Sequence, residues 1–192
     1  MQELEELKRK LEQERPADWD ELPDLALYMD QLVSYMPRQL IRFGTEEILT
    51  SAMVNNYIKD GLVPRAEGKR YSRAHLAFLT AVCALKKVLS VKDISVLLEA
   101  VRNDRPAQEL YADVTRVMDD ALGQTAHSLD DQTPAEQLPQ LPQLALELAL
   151  RSYAYQLACA RVLDILRARR SEPEKGKEKT KRQQEEGEKS HE

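Results

Sequence analysis

The sequence is poor in the residues that build disulfide scaffolds and β-sandwiches. Only two of its 192 residues are cysteines, and aromatic side chains make up 5% of the chain. Cys83 and Cys159 lack the CxxC spacing of metal and redox sites, so we expect two free, buried thiols. No charge-free apolar run approaches the roughly 18 residues of a membrane helix, and the residues after Met1 are too acidic for a signal peptide. The composition therefore predicts a reduced, cytoplasmic chain that has no membrane partner.

Signatures of catalysis are also missing. The three histidines (His75, His127 and His191) are not accompanied by a serine or cysteine in a nucleophile-elbow or triad sequence. The sequence contains no HExxH, P-loop or GxGxxG motif. These absences predict that the chain is not an enzyme and that it uses no metal and no cofactor.

Charge is distributed unevenly along the chain. The formal net charge is −5, which by itself argues against a nucleic-acid partner. Between Tyr35 and Lys92, however, ten basic and four acidic residues leave an excess of six positive charges, so the remainder of the chain carries eleven negative ones. A local basic region within an acidic protein is typical of a domain that contacts duplex DNA over a small area.

Hydrophobic residues make up 42% of the chain and recur mainly at helical spacing. We expect a loop from Gly123 to Pro142. We also expect disorder from Ser171 to Glu192, because this charged tail has no apolar residue to anchor it. The predicted helices cover residues 1–15, 24–40, 51–60, 72–88, 90–101, 105–122 and 143–170.

A short helix with defined ends is predicted after Leu49. Thr50 is placed as the N-cap, and Leu49 and Val54 have the spacing of a hydrophobic staple. Gly61 is placed to end the helix in the left-handed conformation that glycine tolerates. The sequence therefore predicts that the helix over residues 51–60 is fixed at both ends.

One side of this helix offers polar and cationic groups that match DNA. An asparagine amide can pair with adenine through two hydrogen bonds, whereas hydroxyl groups and lysine reach phosphates. Two asparagines are also poor choices for a purely structural helix, because their helix propensity is low. Tyr57 can alternatively pack inward, against the helix predicted over residues 72–88. The candidate DNA-binding residues of this helix are Ser51, Asn55, Asn56, Tyr57 and Lys59.

A basic turn follows at Gly68-Lys69-Arg70-Tyr71. A protrusion of this kind can follow a phosphate strand or enter the minor groove. Two alternatives stay open, since the cationic side chains can form an ordinary solvated surface and Tyr71 can pack on the next helix. The candidate DNA-binding residues of this segment are Lys69, Arg70, Tyr71 and Arg73.

These segments resemble the pattern of MerR-family regulators. In that family, a recognition helix ending in an aromatic residue precedes a Gly-Leu-hydrophobic-Pro exit, an Arg-Tyr-Ser wing and a helix that opens with Leu-Ser. The chain departs from the pattern in the long segment before its recognition helix, and in Asn55, where MerR proteins often carry arginine. The matching features occur in the same order at Asn56-Tyr57, Gly61-Leu62-Val63-Pro64, Arg70-Tyr71-Ser72 and Leu89-Ser90.

The chain is more closely similar to DUF1836, a bacterial family of unknown function. The similarity covers roughly residues 20–105. The residues that carry it are Leu22-Pro23-Asp24, Tyr28-Met29-Asp30, Val54-Asn55-Asn56-Tyr57 with Lys59-Asp60-Gly61, and Tyr71-Ser72-Arg73.

The two resemblances imply an all-α protein with a MerR-like winged helix-turn-helix and a helical C-terminal region. The implied function is that of a transcriptional regulator that binds double-stranded DNA sequence-specifically. Its recognition helix would enter the major groove while the wing contacts the backbone. A protein–protein adaptor that uses the same fold without binding DNA is the alternative.

The C-terminal half has two possible roles. The helix over residues 143–170 either pairs with a second copy in a homodimer or covers the core of its own chain. An effector pocket is possible in this region, but no residue identifies a ligand. The expected domains are an N-terminal helical extension (1–20), the winged helix-turn-helix domain (21–101), a helical C-terminal region for dimerisation or effector binding (102–170) and a charged tail (171–192).

Overall fold

The computed structural model describes residues 2–44, 49–102, 105–132 and 140–188, and within these ranges side chains are described up to residue 129 and from 140 to 170. All regular elements in these ranges are helices, which confirms the predicted all-α class. None of these helices has the length and apolar character that crossing a bilayer requires. The α-helices are α1 (Gln2–Gln13), α2 (Met29–Tyr35), α3 (Ser51–Lys59), α4 (Arg73–Leu85), α5 (Val91–Arg102), α6 (Ala107–Gln132) and α7 (Leu141–Glu188), and Trp19–Glu21 and Met36–Arg38 form short 3₁₀ helices.

The chain divides into two compact units, residues 1–149 and 150–192. In the first unit, α4 lies at the centre of the main core, and its residues from His75 to Val82 are all buried. A helix that is apolar around its whole circumference is stable only when other elements cover it on all sides. α6 packs against α4, α5 and α1, so this long helix joins the N-terminal extension to the rest of the unit.

A smaller core joins the two ends of the first unit. It contains Leu11 of α1, Ala126 and Leu129 of α6, and Leu144 of α7. The first turns of α7 therefore cover a core within their own chain. The second unit consists of the helical continuation of α7.

A buried polar group fixes the segment that follows α2. Gln39 is 1% exposed, and its Oε1 atom lies 3.1 Å from the hydroxyl oxygen of Tyr111 on α6. The Tyr111 hydroxyl donates a hydrogen bond of 2.6 Å to the Ala17 carbonyl, and burial raises the pKa of this tyrosine. These contacts attach the segments around Ala17 and Gln39 to α6. Because a buried polar group is costly when it has no hydrogen-bond partner, the contacts define where both segments lie.

The helix predicted over residues 24–40 is wrong in its extent. α2 covers only Met29–Tyr35, and a 3₁₀ helix follows it at Met36–Arg38. The residues before α2 are extended, because Leu27 and Tyr71 exchange two backbone hydrogen bonds of 2.9 Å. The spacing of apolar residues reflects only contacts within one segment. It therefore could not predict a pairing between Leu27 and Tyr71, which are far apart in the sequence.

The loop predicted from Gly123 to Pro142 is wrong in its first part. α6 continues through Gly123 to Gln132, because the small core buries Ala126 and Leu129. The free energy of this burial outweighs the low helix propensity of a single glycine, which costs about 1 kcal/mol relative to alanine.

The final helix is longer than the sequence predicts. α7 runs from Leu141 to Glu188, whereas the predicted helix ends at residue 170. The helix therefore includes residues 171–188 of the tail for which the sequence predicts disorder, and residues 189–192 lie outside the described part. The predicted domain limits stay predictions.

Candidate nucleic-acid interface

Both ends of α3 carry the caps that the sequence predicts. The Thr50 hydroxyl oxygen accepts a hydrogen bond of 3.2 Å from the backbone N–H of Met53. At the other end Gly61 has a φ of 75°, and its N–H and that of the next residue bond carbonyls in the last turn at 3.1 and 2.9 Å. This pair of bonds is a Schellman motif. Caps at both ends support a helix of nine residues, a length that is marginal in isolation.

α3 has a buried face and an exposed face. Val54 and Tyr57 belong to the main core, which holds the helix against the rest of the first unit. Among the described residues, none forms a hydrogen bond with the side-chain amide of Asn55 or Asn56. The exposed face contains four of the predicted contact residues, Ser51, Asn55, Asn56 and Lys59.

The predicted wing is a minimal hairpin at Glu67–Arg70, which we name the basic turn. Glu67 and Arg70 exchange two backbone hydrogen bonds, of 3.2 and 2.9 Å. The two central residues, Gly68 and Lys69, have φ values of 56° and 63°. Positive φ at both central positions is typical of a type I′ turn. Lys69 therefore lies at the exposed tip of the hairpin.

His75 connects the basic turn to the start of α4. This side chain is 5% exposed, and its Nδ1 atom accepts a hydrogen bond of 3.0 Å from the Ser72 N–H. Because Nδ1 is the acceptor, Nε2 carries the proton and donates to the Arg65 carbonyl at 3.2 Å. The histidine thereby fixes the chain on both sides of the turn.

Arg70 lies against the side chain of Tyr28. Its guanidinium carbon is 4.6 Å from the centre of the Tyr28 ring, and its Nη2 atom donates a hydrogen bond of 2.8 Å to the Tyr28 hydroxyl. Both side chains are exposed. This cation–π contact orients the arginine beside the tip of the basic turn while leaving it accessible.

Arg73 is more deeply engaged than the other predicted contact residues. Its guanidinium carbon lies 5.7 Å from the centre of the Trp19 ring, and its Nη1 atom is 3.7 Å from Oδ1 of Asp20. The Nε atom is buried and has no hydrogen-bond partner in the described part of the chain. These contacts hold the Arg73 side chain between α4 and the segment before α2.

The two predicted tyrosines lie in the core, so the packing alternative applies to both. Tyr57 and Tyr71 are each 5% exposed. The ring of Tyr71 contacts that of His75 edge-on, with 5.4 Å between the ring centres, and burial raises the pKa of its hydroxyl. Neither ring is available for contact with a partner in this structure.

Two residues of the candidate interface, Tyr28 and His75, are not among the contact residues that the sequence predicts. Tyr28 holds Arg70, and its only signal is its place in the similarity to DUF1836. His75 is the third residue after Ser72, a capping position that is normally associated with Glu or Gln. Within the described ranges, no group of three His, Cys, Asp or Glu side chains is placed to hold a metal ion.

Comparison with known proteins identifies one family. Searches of curated proteins and of solved structures found no match. A family model described as a domain of unknown function, DUF1836, matches residues 17–117. This range contains α2 to α5, the basic turn and the first part of α6, and it exceeds half of the chain. The chain therefore belongs to the DUF1836 family.

Proposed function

We propose that this protein is a sequence-specific DNA-binding transcriptional regulator of the bacterial cytoplasm. In this proposal α3 enters the major groove and the basic turn contacts the adjacent phosphate backbone. The observation that carries the proposal is the exposed pair of asparagine amides on a helix that is capped at both ends.

The argument from the asparagines is energetic. Each asparagine within a helix costs roughly 0.5 kcal/mol relative to alanine, and neither Asn55 nor Asn56 recovers this cost through a hydrogen bond to a described residue. An amide in this position can donate to and accept from an adenine edge, and such a pair contributes about 1–3 kcal/mol of discrimination. Contact with a base explains why two weak helix formers occupy the exposed face.

The arrangement from α3 onward supports a MerR-like winged helix. A short helix, an exit through Leu62 and Val63, a basic turn and the start of α4 follow one another in the order of that family. The first half differs, because residues 36–50 separate α2 from α3, whereas a helix-turn-helix has a turn of about 3–4 residues. The proposed likeness therefore rests on the recognition helix and the wing.

A homodimer through α7 completes the proposal. A single module with about five phosphate contacts binds weakly at physiological salt, and a second copy supplies affinity and a symmetric site. Leu150, Tyr153 and Leu157 recur at helical spacing and are 58%, 63% and 59% exposed. Such a stripe of exposed apolar side chains suits the same surface of a second copy.

The direct test is capture of genomic DNA fragments by the purified full-length protein, followed by fluorescence anisotropy with the enriched duplex. We expect one enriched motif, and the N55A/N56A double variant should bind it at least tenfold more weakly. The matched control is Q108A/Q124A, which removes two exposed amides from α6 and should leave the affinity unchanged. Fragments without a shared motif would contradict the proposal.

A protein–protein adaptor is the second candidate. It is favoured by the contacts of Arg73 with Trp19 and Asp20 of its own chain, which reduce the number of cations that are available to phosphates. The dependence of duplex affinity on salt concentration distinguishes a DNA-binding regulator from an adaptor. For about five phosphate contacts, log affinity for duplex falls against log salt with a slope of about −4.5, and an adaptor that binds no duplex even at low salt lacks this dependence.

A further inference from the structure

Ala52 lies at the centre of the exposed face of α3. Successive residues of an α-helix are about 100° apart around its axis, so the residues three, four and seven positions after Ala52 share its side of the helix. These positions are occupied by Asn55, Asn56 and Lys59, and all four side chains are exposed. The two buried residues of the helix lie on the opposite side. The exposed face therefore combines one methyl group, two amides and one cation.

The small side chain of Ala52 affects how closely α3 can approach a partner. Its side chain ends at the Cβ atom, whereas the asparagine and lysine side chains extend further from the helix. A partner that is bonded by both amides is thereby brought against the methyl group between them. Ala52 is also the second residue of α3, and the N-terminal residues of a recognition helix are the ones that contact base edges. This position suits an apolar contact inside a groove.

An A·T base pair presents the groups that this face complements. In the major groove, adenine offers an acceptor at N7 and a donor at N6, which match the donor and acceptor of an asparagine amide. Thymine carries a C5-methyl group, which an alanine side chain can contact and remove from water. A G·C pair offers neither a methyl group nor a donor and an acceptor on the same base. The exposed face of α3 is therefore more complementary to A·T pairs.

We propose that α3 reads two adjacent A·T pairs, with one asparagine on each adenine and the Ala52 methyl group against a thymine methyl group. Asn55 and Asn56 point in directions about 100° apart, so each amide reaches a different base pair. This assignment rests on the proposed function and deepens it by naming the base pairs that the helix selects. Ala52, which is not among the contact residues predicted from the sequence, becomes a specificity-determining residue.

The first test removes the thymine methyl groups from the enriched duplex. Each thymine of the motif is replaced in turn by deoxyuridine, which lacks only the C5-methyl group. Fluorescence anisotropy with the full-length protein should show a loss of affinity of about three- to fourfold at one or more thymines, the effect of one buried methyl group. A52G should bind the thymine and deoxyuridine duplexes equally. Because both duplexes are compared with the same variant, any effect of glycine on the stability of α3 cancels.

The second test alters the adenines. 7-Deazaadenine lacks the N7 acceptor of the major groove, whereas 3-deazaadenine lacks the N3 acceptor of the minor groove and is the matched control. 7-Deazaadenine at the two adjacent adenines should lower the affinity of the unaltered chain about fivefold, the effect of one lost hydrogen bond. The N55A/N56A variant should lose less than twofold, because its hydrogen bonds to these bases are already absent. The control base should leave the affinity unchanged.

Lys59 provides a control for contacts that carry no sequence information. K59Q should weaken the binding of altered and unaltered duplexes by the same factor, since a phosphate contact does not depend on the base. It should also reduce the slope of log affinity against log salt by about one. A52G removes no charge and should leave this slope unchanged.

The outcomes distinguish this assignment from the proposed function. If one motif is enriched but contains no adjacent A·T pairs, or if every deoxyuridine duplex binds like its thymine parent, the regulator stands and the reading of A·T pairs is overturned. If no duplex is retained even at low salt, both proposals are overturned. A methyl effect that disappears in A52G, together with an N7 effect that disappears in N55A/N56A, supports both.

Discussion

Lys69 adopts a backbone conformation that lysine rarely occupies. Its φ of 63° lies in the left-handed region, which costs a residue with a side chain about 1 kcal/mol. The preceding position of the turn has glycine, for which the same conformation carries no such cost. Lys69 is a strained, positively charged residue at an exposed tip, and its side chain forms no hydrogen bond or ion pair with the described part of the chain, which is more consistent with function than with stability.

We therefore expect the K69N variant to be more stable than the unaltered chain and to bind duplex DNA more weakly. Asparagine tolerates the left-handed conformation, so we expect the free energy of unfolding in denaturant to rise by roughly 0.5–1 kcal/mol. Duplex affinity should fall several-fold, because one phosphate contact is lost. The K69A control removes the charge but keeps the strain, so it should lose the same affinity without gaining stability. Equal stability of K69N and K69A would show that the backbone at residue 69 is not strained.

Cys83 should make stability depend on alkaline pH. Burial raises the pKa of its thiol from its ordinary value of 9.0 to about 11. Between these pH values the unfolded chain releases a proton that the folded chain retains, so stability falls as pH rises through this window and is unaffected below it. The full loss of unfolding free energy amounts to roughly 2–3 kcal/mol.

The C83A variant should lose this alkaline slope. We expect urea unfolding to give a smaller decline between pH 9 and pH 11 for C83A than for the unaltered chain, beyond a constant offset from the smaller side chain. C159A is the control and should keep the decline. An identical slope in C83A and C159A would mean that another group, such as a buried tyrosine, causes the pH dependence.

At the scale of elements, glycine has opposite roles in α3 and α6. Gly61 ends α3 with a φ of 75°, whereas Gly123 lies within α6. At both positions, nothing lies within 4 Å of an added Cβ atom. The effect of a methyl group therefore depends on the backbone conformation and not on available space.

Alanine should change stability in opposite directions at these two glycines. G61A forces alanine into the left-handed region and should lower the free energy of unfolding by about 1 kcal/mol. G123A improves helix propensity and should raise it by a similar amount. Denaturant titration of both variants provides the comparison, with each serving as the control for the other. A loss of stability in G123A would contradict the continuous course of α6.

At the scale of the whole molecule, the exposed stripe of α7 should control the oligomeric state. L150E/L157E places charges on the stripe and should convert a dimer into a monomer in sedimentation equilibrium, because burial of unpaired charge is costly. Y155E, at a 75% exposed position on another side of the helix, should stay dimeric. A monomeric unaltered chain, or equal dissociation of both variants, would contradict dimerisation through this stripe.

Local patterns predicted α3 well and α2 poorly. Thr50, Val54 and Gly61 act within a few residues of α3, so their roles follow from spacing alone. The extended segment at Leu27 depends on pairing with Tyr71, and no local pattern reports such a partner. The same limit applies to the candidate site, since spacing placed Tyr57 at the interface, whereas the structure buries it.

The sequence by itself determined the helical class, the caps of α3, the left-handed end at Gly61 and the basic turn, since these features depend on composition and on interactions between near neighbours. Only the tertiary structure decided that α6 continues past Gly123, that Arg73 is held by Trp19, and that the tyrosines pack inward. Burial free energy is summed over contacts between distant segments. This burial free energy can therefore outweigh a local conformational preference. It cannot be read from one segment alone, because it depends on which distant segments pack together.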